Sequence, residues 1–332
     1  RDALSLELLS ARLQAERTDK EATISTLDTL ALELQAQGKY DEAEPLFREV
    51  LEVERETLGA RHPDTLTSLS SLGGLMKAKG DLAAAEPLYC EALEGRRETL
   101  GNRHPSTLAS ISNLGMLLHA KGNLAAAEPL QREALVAKRE TLGNRHPSTL
   151  VSINNLSNLL QVKGDLAAAE LLLREALEGW RETLGNRHPS TLTSINNLGN
   201  LLQVKGDLAA AEPLQREALE VQRETLGNRH PSTLASMSNL GVLLCAKNDL
   251  VAAEPLIYEA LVVNRETLGS HHPHTLSSLR GLRRLLKAKG KLRAAALLAL
   301  GGTSLGVSRK ILGSQHPSTL RLSMKRLGRV PP

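Results

Sequence analysis

Apolar side chains recur along the chain in two alternating helical patterns. Leu192, Ile195, Leu198, Leu201 and Leu202 stand at spacings of three and four, which predicts an amphipathic helix over about 190–205. Past Gly206 and Asp207, a second stripe of Leu208, Ala211, Leu214, Ala218 and Leu219 predicts a helix over about 208–226. The same pair of patterns returns at intervals of 42 residues, with the residues between them polar.

Two sets of markers keep step with the stripes. His-Pro pairs begin at 62, 104, 146, 188, 230, 272 and 316. The proline suits the first turn of the helix that follows, where a missing N–H costs nothing. Gly38, Gly80, Gly122, Gly164, Gly206 and Gly290 form the second set, with Asn248 in the one remaining slot. Glycine and asparagine are the residues that adopt the left-handed conformation closing a helix. Asp81, Asn123, Asp165, Asp207 and Asp249 come next and suit helix N-caps. One unit therefore reads helix A, tight turn, helix B, polar joint. Pro213 conflicts with this reading, since it falls in the second turn of helix B and deletes a backbone hydrogen bond. Either the helix tolerates a bend there or it starts later.

Neither helix can bury its stripe alone, whereas stacked neighbours can, so the pattern predicts an all-α solenoid. The histidines are then joints: equivalent ones lie about 10 Å apart, one helix-packing distance, too far to share a metal ion. His271, His272 and His274 are close enough in sequence for a weak metal site, but a degenerate joint explains them as well. No metal is expected.

Composition narrows the function. Cys90 and Cys245 are the only cysteines, which fits a reducing, cytoplasmic compartment. The longest apolar run, 294–302, is too short to span a membrane, so no transmembrane segment is expected. Thirteen Lys and Arg, and no Asp or Glu, fall at 271–332, leaving 28 basic and 37 acidic residues before them. Aromatic residues make up 2% of the chain, and the part before 271 is acidic, so nucleic acid is not an expected partner. No phosphate-binding loop, nucleophile elbow or zinc-binding His-Glu motif is present, so neither an enzyme nor a cofactor is expected. The Glu residues of helix B sit beside Arg at helical spacing and read as solvated, ion-paired faces. Trp180 reads as a half-exposed filler.

Leu198-Gly199, Ala211 and Ala218 keep the spacing of the tetratricopeptide signature, and "GKYDEAEPL" at 38–46 is close to its inter-helix turn. With 42-residue units, "LG…HP" joints and "NNL" in helix A, the chain resembles the tetratricopeptide array of kinesin light chains. The resemblance implies a right-handed superhelical solenoid of antiparallel helix pairs. Seven tandem repeats would cover 17–300, after a degenerate helical segment at 1–16 and before a basic partial repeat at 301–332. Leu and Ile replace the large aromatic residues common in helix A of that family. The coiled coil that joins such light chains to the motor has no counterpart in this sequence.

The same resemblance implies that helix A lines a concave groove. Asn113, Asn155, Asn197 and Asn239 recur there every 42 residues; Asn154 and Asn196 precede two of them, and Asn158 and Asn200 lie one turn on. In the family, asparagines at matching places hydrogen-bond the backbone of a bound peptide. An amide offers both donor and acceptor and so pairs with any peptide unit. An extended strand rises about 3.3 Å per residue, so one amide per repeat meets roughly every third residue of a ligand. The alternative is that these asparagines are solvated and were copied with the repeat. Basic groove candidates, Arg280, Arg284 and Lys287, occur only in the last unit and would suit an acidic partner or an anionic surface; repeat drift explains them equally well. The expected function is a non-enzymatic scaffold that binds an extended peptide or partner segment, a cargo adaptor being one version. The alternatives are a sensor or oligomerisation arm of a larger signalling protein and a spacer without a specific ligand.

Overall fold

The computed structural model describes residues 22–270 and 272–290, and all regular structure in them is helical, with no strand. Helix α1 covers residues 22–36. It is followed by α2 (Tyr40–Thr57), α3 (Pro63–Lys79), α4 (Leu82–Leu100), α5 (Pro105–Ala120), α6 (Leu124–Leu142) and α7 (Pro147–Lys163). Next come α8 (Leu166–Leu184), α9 (Pro189–Lys205), α10 (Leu208–Leu226), α11 (Pro231–Ala246), α12 (Leu250–Leu268) and α13 (Pro273–Ala288). The chain divides into two units, one ending at Lys163 and one starting at Gly164. In each unit successive helices pack antiparallel against their neighbours as a tetratricopeptide-like solenoid. The segments expected at 1–16 and 301–332, and the second helix expected in the seventh repeat, lie outside the described residues.

Helices start and stop where the residues dictate. The sequence predicts α10 over 208–226, which is where it lies, and α9 begins one residue ahead of prediction. At the tight turn Gly206 takes φ 87, and the N–H of Asp207 bonds the carbonyl of Leu202 at 2.9 Å. Asp207 then caps α10, its Oδ1 accepting from the N–H of Ala210 at 3.0 Å. Asn248 replaces the glycine at φ 64, the only non-glycine residue at positive φ among those described. At the joints, each His-Pro histidine among the described residues, from His62 to His272, is itself an N-cap. The Nδ1 of His188 accepts from the N–H of Ser190 at 3.1 Å, and Pro189 fills the first helical position. That bond needs a free lone pair on Nδ1, so the joint uses an imidazole with an unprotonated Nδ1. A buried threonine ties the joint back: Thr191 Oγ1 donates to the carbonyl of Gly185 at 2.7 Å.

Pro213 sits inside α10 without delaying its start. It is exposed, and so is Ala209, whose carbonyl loses its partner, so water can satisfy that oxygen. Pro45, Pro87, Pro129 and Pro255 are likewise exposed within helices.

The core is the predicted stripe. Leu192, Ile195, Leu198, Leu201 and Leu202 are all buried, as are Ala211 and Ala218. Leu208 and Leu214 are only half-buried, and Gln215 and Gln222 fill the positions beside them. Small residues set the helix separation: a Cβ on Gly199 would stand 3.0 Å from Gln215 Cγ. In the first unit, Phe47, Leu66, Leu69, Leu108 and Ile111 join the alanines Ala43, Ala85 and Ala127 in one cluster.

The glutamates of helix B do pair with Arg one turn on, as in Arg174–Glu170 (2.8 Å) and Arg216–Glu212 (2.7 Å). They also reach the next repeat, which local spacing does not reveal. Glu170 bonds Lys205, Glu212 bonds Lys247 and, in the first unit, Glu128 bonds Lys163. A second ladder joins successive B helices, as in Arg97–Glu133 and Arg181–Glu217. The Lys and Arg partners hold the Glu44, Glu128, Glu170 and Glu212 carboxyls below their ordinary value of 4.5.

Two outcomes are expected. Replacing Ala211 with Leu overpacks the contact between helix pairs and costs about 1–3 kcal/mol in urea denaturation. The depressed carboxyls contribute stability that is complete above pH 4.5 and is lost as pH falls through their lower folded values. The melting temperature therefore drops on acidification below pH 4.5, and the drop is shallower in Glu170→Gln and Glu212→Gln.

Candidate protein-interaction surface

The A helices bury most of their circumference and leave one stripe open. In α9 this stripe is Thr193, Asn196, Asn197 and Asn200; in α5 it is Ala109, Ser112, Asn113 and Met116. Since Leu and Ile hold the opposite side in the core, the polar residues have no other face to occupy.

The predicted asparagines all reach this stripe, but they are not equivalent. Asn113, Asn197 and Asn239 are half-buried, and their side chains make no hydrogen bond among the described residues. Asn158 is exposed. Asn155 is half-buried, and its Nδ2 lies 3.5 Å from Met116 Sδ of the preceding A helix. Asn196 is committed to the frame: its Nδ2 donates to Ser236 Oγ at 3.0 Å, clipping α9 to α11. Asn200 Oδ1 accepts from Gln215 Nε2 at 3.3 Å. The Oδ1 of Asn154 is buried and has no hydrogen-bond partner.

In each unit, one buried repeat position was not anticipated from the helical patterns. Glu54, Arg96, Lys138, Trp180, Gln222 and Asn264 occupy one repeat position near the end of helix B, and all are buried. Trp180 is 4% exposed, so the expectation of a half-exposed filler is wrong: the side chain is buried. Arg96 donates to Ser70 (2.9 Å), Ser110 (2.5 Å) and Thr67 (3.2 Å). Lys138 donates to Ser112 (3.0 Å) and Ser152 (2.8 Å). Burial lowers the pKa of both cations. At the start of the row, Glu54 lines a cavity of about 430 Å³ with Asp28, His62 and Asp64. Burial raises the carboxyl pKa of Glu54, with a hydrogen bond from Ser68 opposing it, and burial also raises Asp28. The signal was present in the sequence as a position that changes while the Arg-Glu-Thr-Leu after it does not.

Arg280, Arg284 and Lys287 are exposed on α13, whereas Lys289 bonds Glu254 at 2.6 Å. The remainder of the basic stretch lies outside the described residues. His272 caps α13, its Nδ1 accepting from the N–H of His274 at 3.2 Å, and the two rings stack at 5.1 Å. His271 lies outside the described residues. No group of three or more metal-ligating residues occurs among the described residues. Burial pushes the Cys245 thiol up to about 11, which disfavours the reactive thiolate. No helix among the described residues is long and apolar enough to cross a membrane.

A tetratricopeptide-repeat family model matches residues 22–98, 78–140, 106–182, 149–203 and 190–261. Among solved structures, the chain is similar to a Podosopora anserina candidate kinesin light chain with nearly identical TPR-like repeats. That similarity has 28% identity and a TM-score of 0.57, over 62% of this chain and 98% of the other. A second crystal structure with the same description shows 29% identity and a TM-score of 0.56, with the same coverage. BtubC (BKLC) from P. vanneervenii shares the fold at 22% identity and a TM-score of 0.57, over 71% of this chain and 92% of its own. No curated protein matches the sequence.

The two amide positions separate experimentally. Asn196→Ala removes the clip to Ser236 and is expected to cost about 0.5–1.5 kcal/mol of stability. Asn197→Ala removes no hydrogen bond and leaves the urea midpoint unchanged.

Proposed function

Because the chain belongs to the tetratricopeptide-repeat family, we propose that it is a non-enzymatic scaffold holding an extended peptide or partner segment along the open stripe of its A helices. The fold is that of a protein-interaction module. The observation that carries the finer reading is the unused hydrogen-bonding capacity of Asn113, Asn197 and Asn239, whose amides stand half-buried and unpartnered at one repeat position. A half-exposed amide of this kind can exchange its water for a peptide unit without breaking a bond of the frame. Asn113 and Asn155 serve the first unit, and Asn197 and Asn239 the second. The frame supplies the spacing: the A helices are locked side by side by contacts such as Asn196–Ser236, so the free amides next to these locks cannot drift.

Each net hydrogen bond contributes only about 0.5–1.5 kcal/mol, so amides alone give roughly micromolar capture at best. The exposed Arg280, Arg284 and Lys287 of α13 add a positive surface that steers acidic partners. The likeness to a kinesin light chain of nearly identical repeats favours an adaptor role in the cytoplasm over a passive spacer.

The test is capture of an unbiased immobilised peptide library by the intact chain and its variants. Asn113→Ala with Asn155→Ala, and separately Asn197→Ala with Asn239→Ala, are expected to keep helical circular dichroism and weaken capture several-fold. Undiminished capture in both double variants refutes the amide-lined binding stripe.

A further inference from the structure

Repeats copied this closely should also repeat their buried residues, and in helix B two positions do not: the one at Phe47, Tyr89, Gln131, Leu173, Gln215 and Ile257, which carries no ionised group, and one nearer the helix end that does. Glu54, Arg96, Lys138, Trp180, Gln222 and Asn264 are six different side chains in six successive repeats. Each is followed by the same Arg-Glu-Thr-Leu. All six are between 2% and 8% exposed, so they are not a freely varying surface. The position also gathers incomplete hydrogen bonding. Glu54 Oε2, Trp180 Nε1, Gln222 Oε1 and Asn264 Oδ1 are buried without a partner.

In the unit ending at Lys163 the row is charged. Arg96 and Lys138 donate to hydroxyls alone, and no carboxylate answers either of them among the described residues. A buried cation without a counter-ion is unfavourable, and hydroxyls offset it only in part. Ser110 and Ser152 are buried, whereas the other hydroxyl partners reach the open stripes. Thr67 is exposed on the open stripe of α3, and Ser70 and Ser112 are half-buried on the same stripes of α3 and α5. Glu54 has the opposite sign and lines the cavity of about 430 Å³ together with Asp28, His62, Asp64 and Thr67. Along the stack the row therefore presents one anionic notch and then two cations. Successive charges are one repeat apart, about 10 Å, which an extended chain covers in roughly three residues at about 3.3 Å each.

We propose that this unit selects an extended peptide carrying one basic and two acidic side chains at three-residue intervals, the basic one seated in the Glu54 notch and the acidic ones against Arg96 and Lys138. The inference rests on the open stripe holding a peptide: the amides grip any backbone, and the buried row chooses among side chains. Truncating one partner of a desolvated ion pair costs far more than removing a rim charge, so the row is suited to specificity.

The full chain is titrated by fluorescence anisotropy against labelled peptides of pattern Lys-x-x-Glu-x-x-Glu and its reverse, Glu-x-x-Glu-x-x-Lys, with x Ser, Gly or Ala. The controls are a charge-inverted Glu-x-x-Lys-x-x-Lys and a scramble with the three charges adjacent. One orientation of the matched pattern is expected to bind at least about tenfold tighter than either control. Arg96→Gln and Lys138→Gln should each remove most of that preference, and replacing the facing Glu of the peptide with Gln should then cost nothing further. These variants suit the fold, since Gln222 already occupies the same position in another repeat. Equal affinity for matched, inverted and scrambled peptides overturns the proposal, as does no binding of any, or a preference that survives both Gln variants with circular dichroism unchanged. If all peptides bind equally and Asn113→Ala with Asn155→Ala weakens them all, the peptide-binding stripe stands and the charge selection falls. If the matched preference is lost in the Gln variants yet ignores the Asn pair, the selection stands and the amide reading falls.

Discussion

The structure depends on one constraint: each helix pair carries an apolar stripe that only the neighbouring pair can cover. Ala211 and Ala218 are wholly buried because they let one helix approach the next, and a Cβ on Gly199 would already press on Gln215. Close approach at these small residues turns a row of individually unstable hairpins into a solenoid. Everything polar is arranged around it. Turns and joints must reverse the chain in few residues, which is why Gly206 and Asn248 share the left-handed conformation in the turns and joint histidines such as His188 and His230 lend their own nitrogen as a cap.

The copied units are fastened twice, once by apolar packing and once by charge. Glu170 serves Arg174 on its own helix and Lys205 on the next repeat, and Glu212 does the same with Arg216 and Lys247. Exposed pairs contribute little singly, but these recur in register and set each helix against the next. Such a frame needs the same residues in every unit. Positions that differ stand out against it, among them the open stripe of helix A and the buried position near the end of helix B. Constancy in the frame and variety in the row describe a binding module whose shape is shared and whose selectivity is local.

The asparagines show how one residue type divides between these two tasks. Asn196 and Asn197 are adjacent in sequence, yet one clips α9 to α11 through Ser236 and the other makes no side-chain bond. Ser238 clips α11 to α13 by bonding Ser278 at 3.1 Å, the same place taken by a smaller hydroxyl. A neighbour one residue away along a helix turns by about 100°, enough to leave the seam between helices and face outward.

Much of the fold was legible in the sequence because its causes are local. Apolar spacing marked α9 and α10 to within a residue, Gly and Asn marked the turns, and proline marked the helix starts. The asparagine stripe followed from the same geometry, since residues opposite a leucine stripe must face away from the core. Which of those amides are free and which are clips was decided only by tertiary structure, because the deciding partner, such as Ser236 for Asn196, lies 40 residues away in another helix. The burial of Trp180, Arg96 and Lys138 was hidden for the same reason: one helix's periodicity records the angle at which a side chain leaves it, and only the neighbouring repeats determine whether that direction ends in water or beneath another helix.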